Sequence, residues 1–399
     1  MAATIEGIVM QRVYVSGVGM TPFARFPDRS LKNLAREAVE AAIADARIDK
    51  RDLQAAFAAN SMAGIVTGQE SIRGQVALSA MGITSIPVVN VENACASGST
   101  ALHQAWTAIA AGLYDVVLVF GVEKLSHPDR AITYRALSSA TDIELAESEE
   151  GKSTFLEESS RRLTAYMDRS GATVRHVARV AQKSHRNGSL NPLAQYRETY
   201  SIEQILAAPM VTPPLTRLMC SPISDGAAAL VVCSEGYARR LGADRVRIAA
   251  SVLRSAGPQT DSGEGIVERA ARAMYEMAAL GPDDVSVAEV HDTTAASELM
   301  LYERLGFCGR FDGPRFVDEG RGELGGGLPV NPSGGLISRG HPVGATGVAQ
   351  VCELAWQLRG QAGPRQVPGA RVALAHNAGG TIAGEPAALC AHIFVSEGK

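Results

Sequence analysis

The chain repeats itself, and that repeat is the strongest limit on what it can fold into. LAREAVEAAIADARIDKRDLQAAFAAN (34–60) reads as an amphipathic helix, a turn and a short buried strand. VERAARAMYEMAALGPDDVSVAEVHD (267–292) reads the same way, with Ala270 in the place of Ala38 and Asp284 in the place of Asp52, an offset of 232. CASGSTALHQAW (95–106) then lies over HPVGATGVAQVC (341–352), setting Gly98 on Gly344 and Thr100 on Thr346 at an offset of 246. The growth in offset fits the extra glycine-rich stretch RGELGGGLPVNPSGGLISRG (321–340). An apolar strand follows each copy, YDVVLVFG (114–121) and ARVALAHN (370–377). Two copies of a βαβα pattern predict two similar α/β halves packed together. Alternating strands and helices favour mixed, mostly parallel sheets covered by helices. The first half is expected to span 1–121 and 219–243, and the second 244–399. Residues 122–218, charged and irregular (SHPDRAITYR, ESEEGKSTFLEESSRR), form an inserted helical and loop region, after which SDGAAALVVCSE (224–235) returns to strand character.

The bulk numbers narrow the class. Hydrophobic residues at 46% and charged residues at 20% belong to a folded globular chain. A net charge of -4 gives no whole-molecule attraction to nucleic acid or an anionic membrane. Apolar runs such as DVVLVFGV are strand-length and too short to span a bilayer. The start reads as no signal peptide and the end as no targeting address. The six cysteines are far apart and form no CxxC pair, so no metal site or disulfide framework is expected, and a reducing cytoplasm is the expected location.

One cysteine stands out. Cys95 in VENACASGST and His341 in SRGHPVGATG hold equivalent places in the two halves, each at a strand-to-helix junction. Helix N-termini carry unpaired N–H groups, an environment that lowers a thiol's pKa and stabilises an oxyanion. Glycines surround both residues: Gly98, Gly340, Gly344 and Gly347. A third element, VAEVHDTTAAS (287–297), runs an apolar strand into His291 and Asp292, beside HNAGG (376–380) at another strand end. The other cysteines, Cys220, Cys233, Cys308, Cys352 and Cys390, sit in apolar surroundings and read as core.

VENACASGS, EVHD, NPSGGLISRGHPVGATG and HNAGG, in this order, resemble the thiolase superfamily, in particular thiolases of the sterol-carrier-protein type and archaeal acetoacetyl-CoA thiolases. The resemblance runs over nearly the whole chain. It implies the thiolase fold, a layered α/β/α/β/α core of two duplicated βαβαβ-type halves with an inserted loop domain. It also implies acyl transfer on acyl-CoA or 3-oxoacyl-CoA thioesters, with coenzyme A as co-substrate and no tightly bound cofactor. By the same resemblance Cys95 is the nucleophile that carries the acyl group. His341 is the base that activates it and helps hold the thioester oxygen. His291 stands where the family places an Asn or His that positions a water in that oxyanion hole. The N–H groups of Cys95 and Gly379 make the second hole. A homodimer or tetramer acting in lipid metabolism is the implied assembly.

The chain departs from the family at one point. Most thiolases carry a second cysteine for the α-proton, and its two usual places hold Asn377 and Thr293. His341 or His376 then takes over. Alternatively, the protein is a partner-dependent or non-catalytic acyl-CoA binder, or an aldolase- or ketosynthase-like enzyme on the same fold. Some such relatives work with a small zinc-ribbon/OB-fold subunit, which is the expected accessory partner. Arg161, Arg162, Arg175, Lys183 and Arg186 in the inserted region stand as candidates for the phosphates of coenzyme A or as solvated surface charge.

Overall fold

The computed structural model describes residues 4–5, 8–144, 154–242, 246–257, 264–382 and 384–398. The expected junction at 243/244 and part of the inserted region therefore lie outside the described residues. The main sheet is built from β1 (Val13–Met20), β2 (Ala55–Ala59), β3 (Val88–Val91), β4 (Val116–Glu123), β5 (Gly226–Ser234), β6 (Val246–Ser255), β7 (Val287–Glu289), β8 (Val372–Ile382) and β9 (Glu385–Ser396). Their spatial order is β7-β8-β9-β6-β1-β5-β4-β2-β3. Read outward from the centre, β1-β5-β4-β2 and β6-β9-β8-β7 are the same arrangement twice. The two halves meet where β6 pairs antiparallel with β1 over Val246↔Val15 and Arg247↔Tyr14.

The duplication extends to single residues. Helix α1 (Leu31–Ala46) and helix α5 (Ile266–Ala278) follow the first strand of each half. Each ends on a left-handed, non-glycine cap, Arg47 at φ 56° and Ala279 at φ 54°, which lie 232 positions apart. Each cap is followed by a short 3-10 turn, Lys50–Asp52 and Pro282–Asp284. The register read from the sequence is thus the register of the fold.

Parallel pairing is narrower than the alternation of strands and helices suggests. It is limited to β2 with β4, β2 with β3, and β7 with β8, and the other pairs are antiparallel. β9 follows β8 directly as a hairpin, and β5 returns from the inserted region between β1 and β4, so each runs antiparallel to both of its neighbours.

Side-chain parity along the strands builds the layers. Val116, Leu118 and Phe120 of β4 face outward onto α1, while Val117 and Val119 face a central cluster. That cluster encloses helix α2 (Ser97–Ala110) and helix α7 (Thr346–Leu358), and Ala373, Ala375 and Phe394 close it from the second half. On the far side, α5 and helix α6 (Ala295–Arg304) cover Ala250, Leu374 and Ile393. The result is the expected sequence of helix, sheet, helix, sheet, helix. The inserted region supplies helix α3 (Thr154–Ser170) and helix α4 (Val174–Ser189), and the apolar face of α4, Val177, Ala178, Val180 and Ala181, is built into this outer cluster.

The central helices approach closely because small residues line their crossing. A Cβ on Gly347 would lie 2.5 Å from the backbone nitrogen of Ser99 and 2.3 Å from its Oγ, and one on Gly98 would lie 2.9 Å from the nitrogen of Val348. With side chains removed there, the two strand-to-helix junctions meet at the middle of the molecule.

Candidate active site

Cys95 lies in the turn between β3 and α2. The turn is wired locally: Ala94 N–H donates to Glu92 Oε1 at 2.6 Å, Asn93 N–H donates to Ser97 Oγ at 2.8 Å, and the Ser97 hydroxyl donates to Ala94 O at 2.6 Å. Ala94 takes φ 48°, an unfavourable left-handed step for a non-glycine residue that reverses the chain just ahead of the cysteine. His341 follows Gly340, whose φ of 111° and whose Cβ position, 2.7 Å from Ser224 Oγ, admit only glycine. Ser224 Oγ accepts the His341 N–H at 2.9 Å and donates onward to Gln195 Oε1 at 2.6 Å.

These two loops bring Cys95 Sγ and His341 Nε2 to 3.3 Å, both residues buried. The ring's other nitrogen fixes its tautomer. His341 Nδ1 is 2.7 Å from Thr346 Oγ1, and the Thr346 hydroxyl donates to Pro342 O at 3.0 Å. With its hydroxyl proton on Pro342 O, Thr346 Oγ1 accepts from the ring; in that tautomer Nδ1 carries the proton and Nε2 turns its lone pair to the thiol.

His291 completes the group. Its ring meets that of His341 edge-on, with centroids 5.3 Å apart. The Asn377 amide Nδ2 donates to His291 Nδ1 at 3.0 Å, which leaves the ring proton on Nε2. One nitrogen from each ring and the Cys95 sulfur lie within 4.8 Å of one another. These are donor types that a zinc ion accepts, but with protons on the thiol and on His291 Nε2 the only free lone pair facing inward from the rings is that of His341. The arrangement is a base facing a thiol with a hydrogen-bond donor alongside.

Electrostatics set the resting state. Burial pushes the Cys95 thiol up to about 12, helped by the charge of Glu123 and opposed by the N–H groups of Gly380 and of Cys95 itself. Burial pulls His341 well below the ordinary imidazole range, reinforced by His291 and Arg339, and holds His291 at about 3. The pair therefore rests as neutral thiol and neutral imidazole. The expectation that a helix start would lower this thiol's pKa is corrected, because desolvation outweighs two N–H donors. Gly379, the residue expected to supply an oxyanion-hole N–H, packs against the Cys95 turn so tightly that a Cβ would lie 2.1 Å from Asn93 O, and Gly380, at φ 63°, follows it.

The family model described as "Thiolase, N-terminal domain" matches residues 13–203, and "Thiolase C-terminal domain-like" matches residues 254–391. The chain belongs to the thiolase family. It is 40% identical over 390 residues to "Acetyl-CoA acetyltransferase" of Methanothermobacter thermautotrophicus, covering 96% of this chain and 100% of that protein. To human "Sterol carrier protein 2" it is 38% identical over 394 residues, covering 94% of this chain and 71% of that one. Among solved structures, "Ltp2-ChsH2(DUF35) aldolase" shares the fold with a TM-score of 0.79 at 24% identity, over 97% of this chain and 98% of that chain.

Within this thiolase fold the candidates for coenzyme A phosphates separate. Lys183 is buried and paired with Glu298, and it also donates to Val330 O at 2.7 Å, so it faces the core. Arg175 pairs with Glu203, Arg186 with Glu323, and Arg161 and Arg162 with Glu158. Arg162 alone of the five lines the cavity that reaches His291, Thr293 and Gly380. Of the two residues singled out in place of a second cysteine, Asn377 holds the His291 ring and Thr293 lines that cavity. Cys220, Cys233, Cys352 and Cys390 are buried and Cys308 is half-buried, in agreement with their reading as core. Among the described residues, no helix is long and apolar enough to cross a membrane.

Two site residues escaped the sequence reading. Thr346 was visible only as the repeat partner of Thr100. Glu123 ends an apolar strand, a lone acid whose burial the pattern alone leaves open. Its carboxylate accepts from Ser61 N–H (3.0 Å), Met62 N–H (3.1 Å), Asn60 Nδ2 (3.0 Å) and, across the halves, Gly344 N–H (2.9 Å). It ties the loop that carries Met62 to the loop that carries Val343, and both side chains pack with Cys95.

Proposed function

We propose that this chain is a thiolase-type acyltransferase acting on 3-oxoacyl-CoA and acyl-CoA thioesters, with Cys95 as the carrier of the acyl group and His341 as its base. The 3.3 Å approach of Sγ to an unprotonated Nε2 carries the reading. His341 takes the thiol proton as Cys95 attacks the 3-oxo carbon, so charge appears only when substrate is present. In this reading the N–H groups of Cys95 and Gly379 donate to the oxyanion that forms on that carbon, and the Nε2–H of His291 serves the thioester oxygen. When the bond between the α-carbon and the former carbonyl carbon breaks, the protonated His341 returns its proton to the α-carbon, the task that a second thiol performs in most thiolases. Free coenzyme A then gives its proton to His341 and takes the acyl group from Cys95.

The domain limits, the homodimer or tetramer and the cytoplasmic setting stand as parts of the same proposal. A second reading is favoured by one observation: with Asn377 and Thr293 where a second cysteine is usual, this chain works with an accessory subunit, as the solved neighbour named for a DUF35 complex suggests. The test is incubation of the purified chain with acetoacetyl-CoA and coenzyme A, following thioester cleavage and the mass of the intact protein. Turnover with an acyl adduct on Cys95, both lost in Cys95→Ser, is the expected result. Unchanged turnover in Cys95→Ser refutes the assignment.

A further inference from the structure

The cavity beside the catalytic pair holds a polar group that the chemistry above does not use. His376 is 2% exposed and lines this cavity together with His291 and Gly380. The His291 N–H donates to His376 Nδ1 at 3.5 Å, so the ring proton sits on Nε2, and Nε2 has no partner. Buried polar groups are almost always paired, and an unpaired one on a residue that lines a cavity marks a place for a ligand atom. Phe155, Val267, Met300 and Leu301 make much of this wall apolar; Ser159 and Ser297 are bonded to Thr294, and Arg162 is paired with Glu158, which leaves His376 Nε2 as a donor without a partner. An acyl group bound to Cys95 leaves a sulfur that lies within 4.8 Å of a ring nitrogen of His291, which is itself part of this cavity's wall.

We propose that His376 sets the substrate class: its Nε2–H donates to an oxygen carried by the acyl group, so the preferred thioesters bear a hydroxyl, oxo or carboxylate substituent rather than a plain chain. The proposal rests on the acyl-enzyme reading of Cys95 and adds to it which acyl groups are accepted. A neutral imidazole, kept so by burial, suits a donor role and not that of an acid.

The test is the rate at which Cys95 is acylated, followed by intact mass, with butanoyl-CoA, 3-hydroxybutanoyl-CoA and succinyl-CoA as probes. In each reaction the Sγ–acyl bond forms, the acyl–sulfur bond of coenzyme A breaks, and the thiol proton passes through His341 to the departing thiolate. The wild-type protein should react about 10- to 100-fold faster with at least one oxygen-bearing probe than with butanoyl-CoA. His376→Phe should reduce that preference to about threefold or less, and His376→Gln, which keeps a donor, should recover part of it. Equal rates for all probes in the wild type would overturn the proposal, as would an equal loss for all probes in His376→Phe. If the Phe variant does not fold, the wild-type preference and the Gln variant decide the matter. Failure of every probe to acylate the wild type overturns the acyl-enzyme reading instead, a result distinguishable from equal acylation by all.

Discussion

Thr346→Val isolates the tautomer argument. Valine keeps the shape of threonine in the buried start of α7 and removes one oxygen, the one 2.7 Å from His341 Nδ1. In the resting state the loss is a neutral hydrogen bond. As the thiol proton arrives on Nε2 the ring becomes a cation, and the lost contact becomes charge-assisted, worth about 1.5–3 kcal/mol in a buried setting. The difference falls on the transition state, so kcat should drop about 10- to 150-fold with KM little changed. The imidazole is also freed to place its proton on Nε2, which would point an N–H instead of a lone pair at the sulfur. The rate of Cys95 alkylation by iodoacetamide should fall in parallel, because that reaction needs the same proton transfer but no substrate binding. Denaturant unfolding checks that the core is retained. A variant with wild-type kcat and wild-type alkylation would refute the idea that Thr346 holds the base in its working form.

Three further outcomes follow from the geometry. Gly347→Ala puts a methyl 2.5 Å from a backbone nitrogen of the facing helix, so the junctions carrying Cys95 and His341 must separate; stability should fall about 1–3 kcal/mol and kcat about 100-fold, measured by urea unfolding and turnover, and an unchanged kcat would contradict the close-crossing account. Burial holds the Glu123 carboxyl up at about 7 against 4.5 when unfolded, so the native chain binds the extra proton and this residue's contribution to stability declines as pH rises through that window. The stability of wild type relative to Glu123→Gln should therefore fall between about pH 5 and pH 8, and a flat difference would show that the group does not titrate there. Lys183→Met leaves Glu298 buried without its cation and should cost about 3–5 kcal/mol by urea unfolding, whereas a negligible cost would return Lys183 to the list of surface charges.

Much was legible in the sequence because it is carried by local periodicity and repetition. The apolar spacing of 34–46 and 267–278 made two helices, and the offsets of 232 and 246 tied them and their neighbours into two copies. The second offset is also the separation of Cys95 and His341, so equivalent positions in the copies are the residues that touch. Other features depended on what surrounds a group in space. Whether Lys183 meets solvent or core, and whether Glu123 is exposed or holds two loops, are decided by packing between segments far apart in the chain. Desolvation reversed the expected direction of the Cys95 shift for the same reason: a helix start is visible in a sequence, but the burial around it is not. The sequence by itself determined the two-lobed α/β architecture and singled out the cysteine and histidine that the fold sets 3.3 Å apart. Tertiary structure alone decided the protons, because a proton's place depends on distances that only the folded halves bring into being.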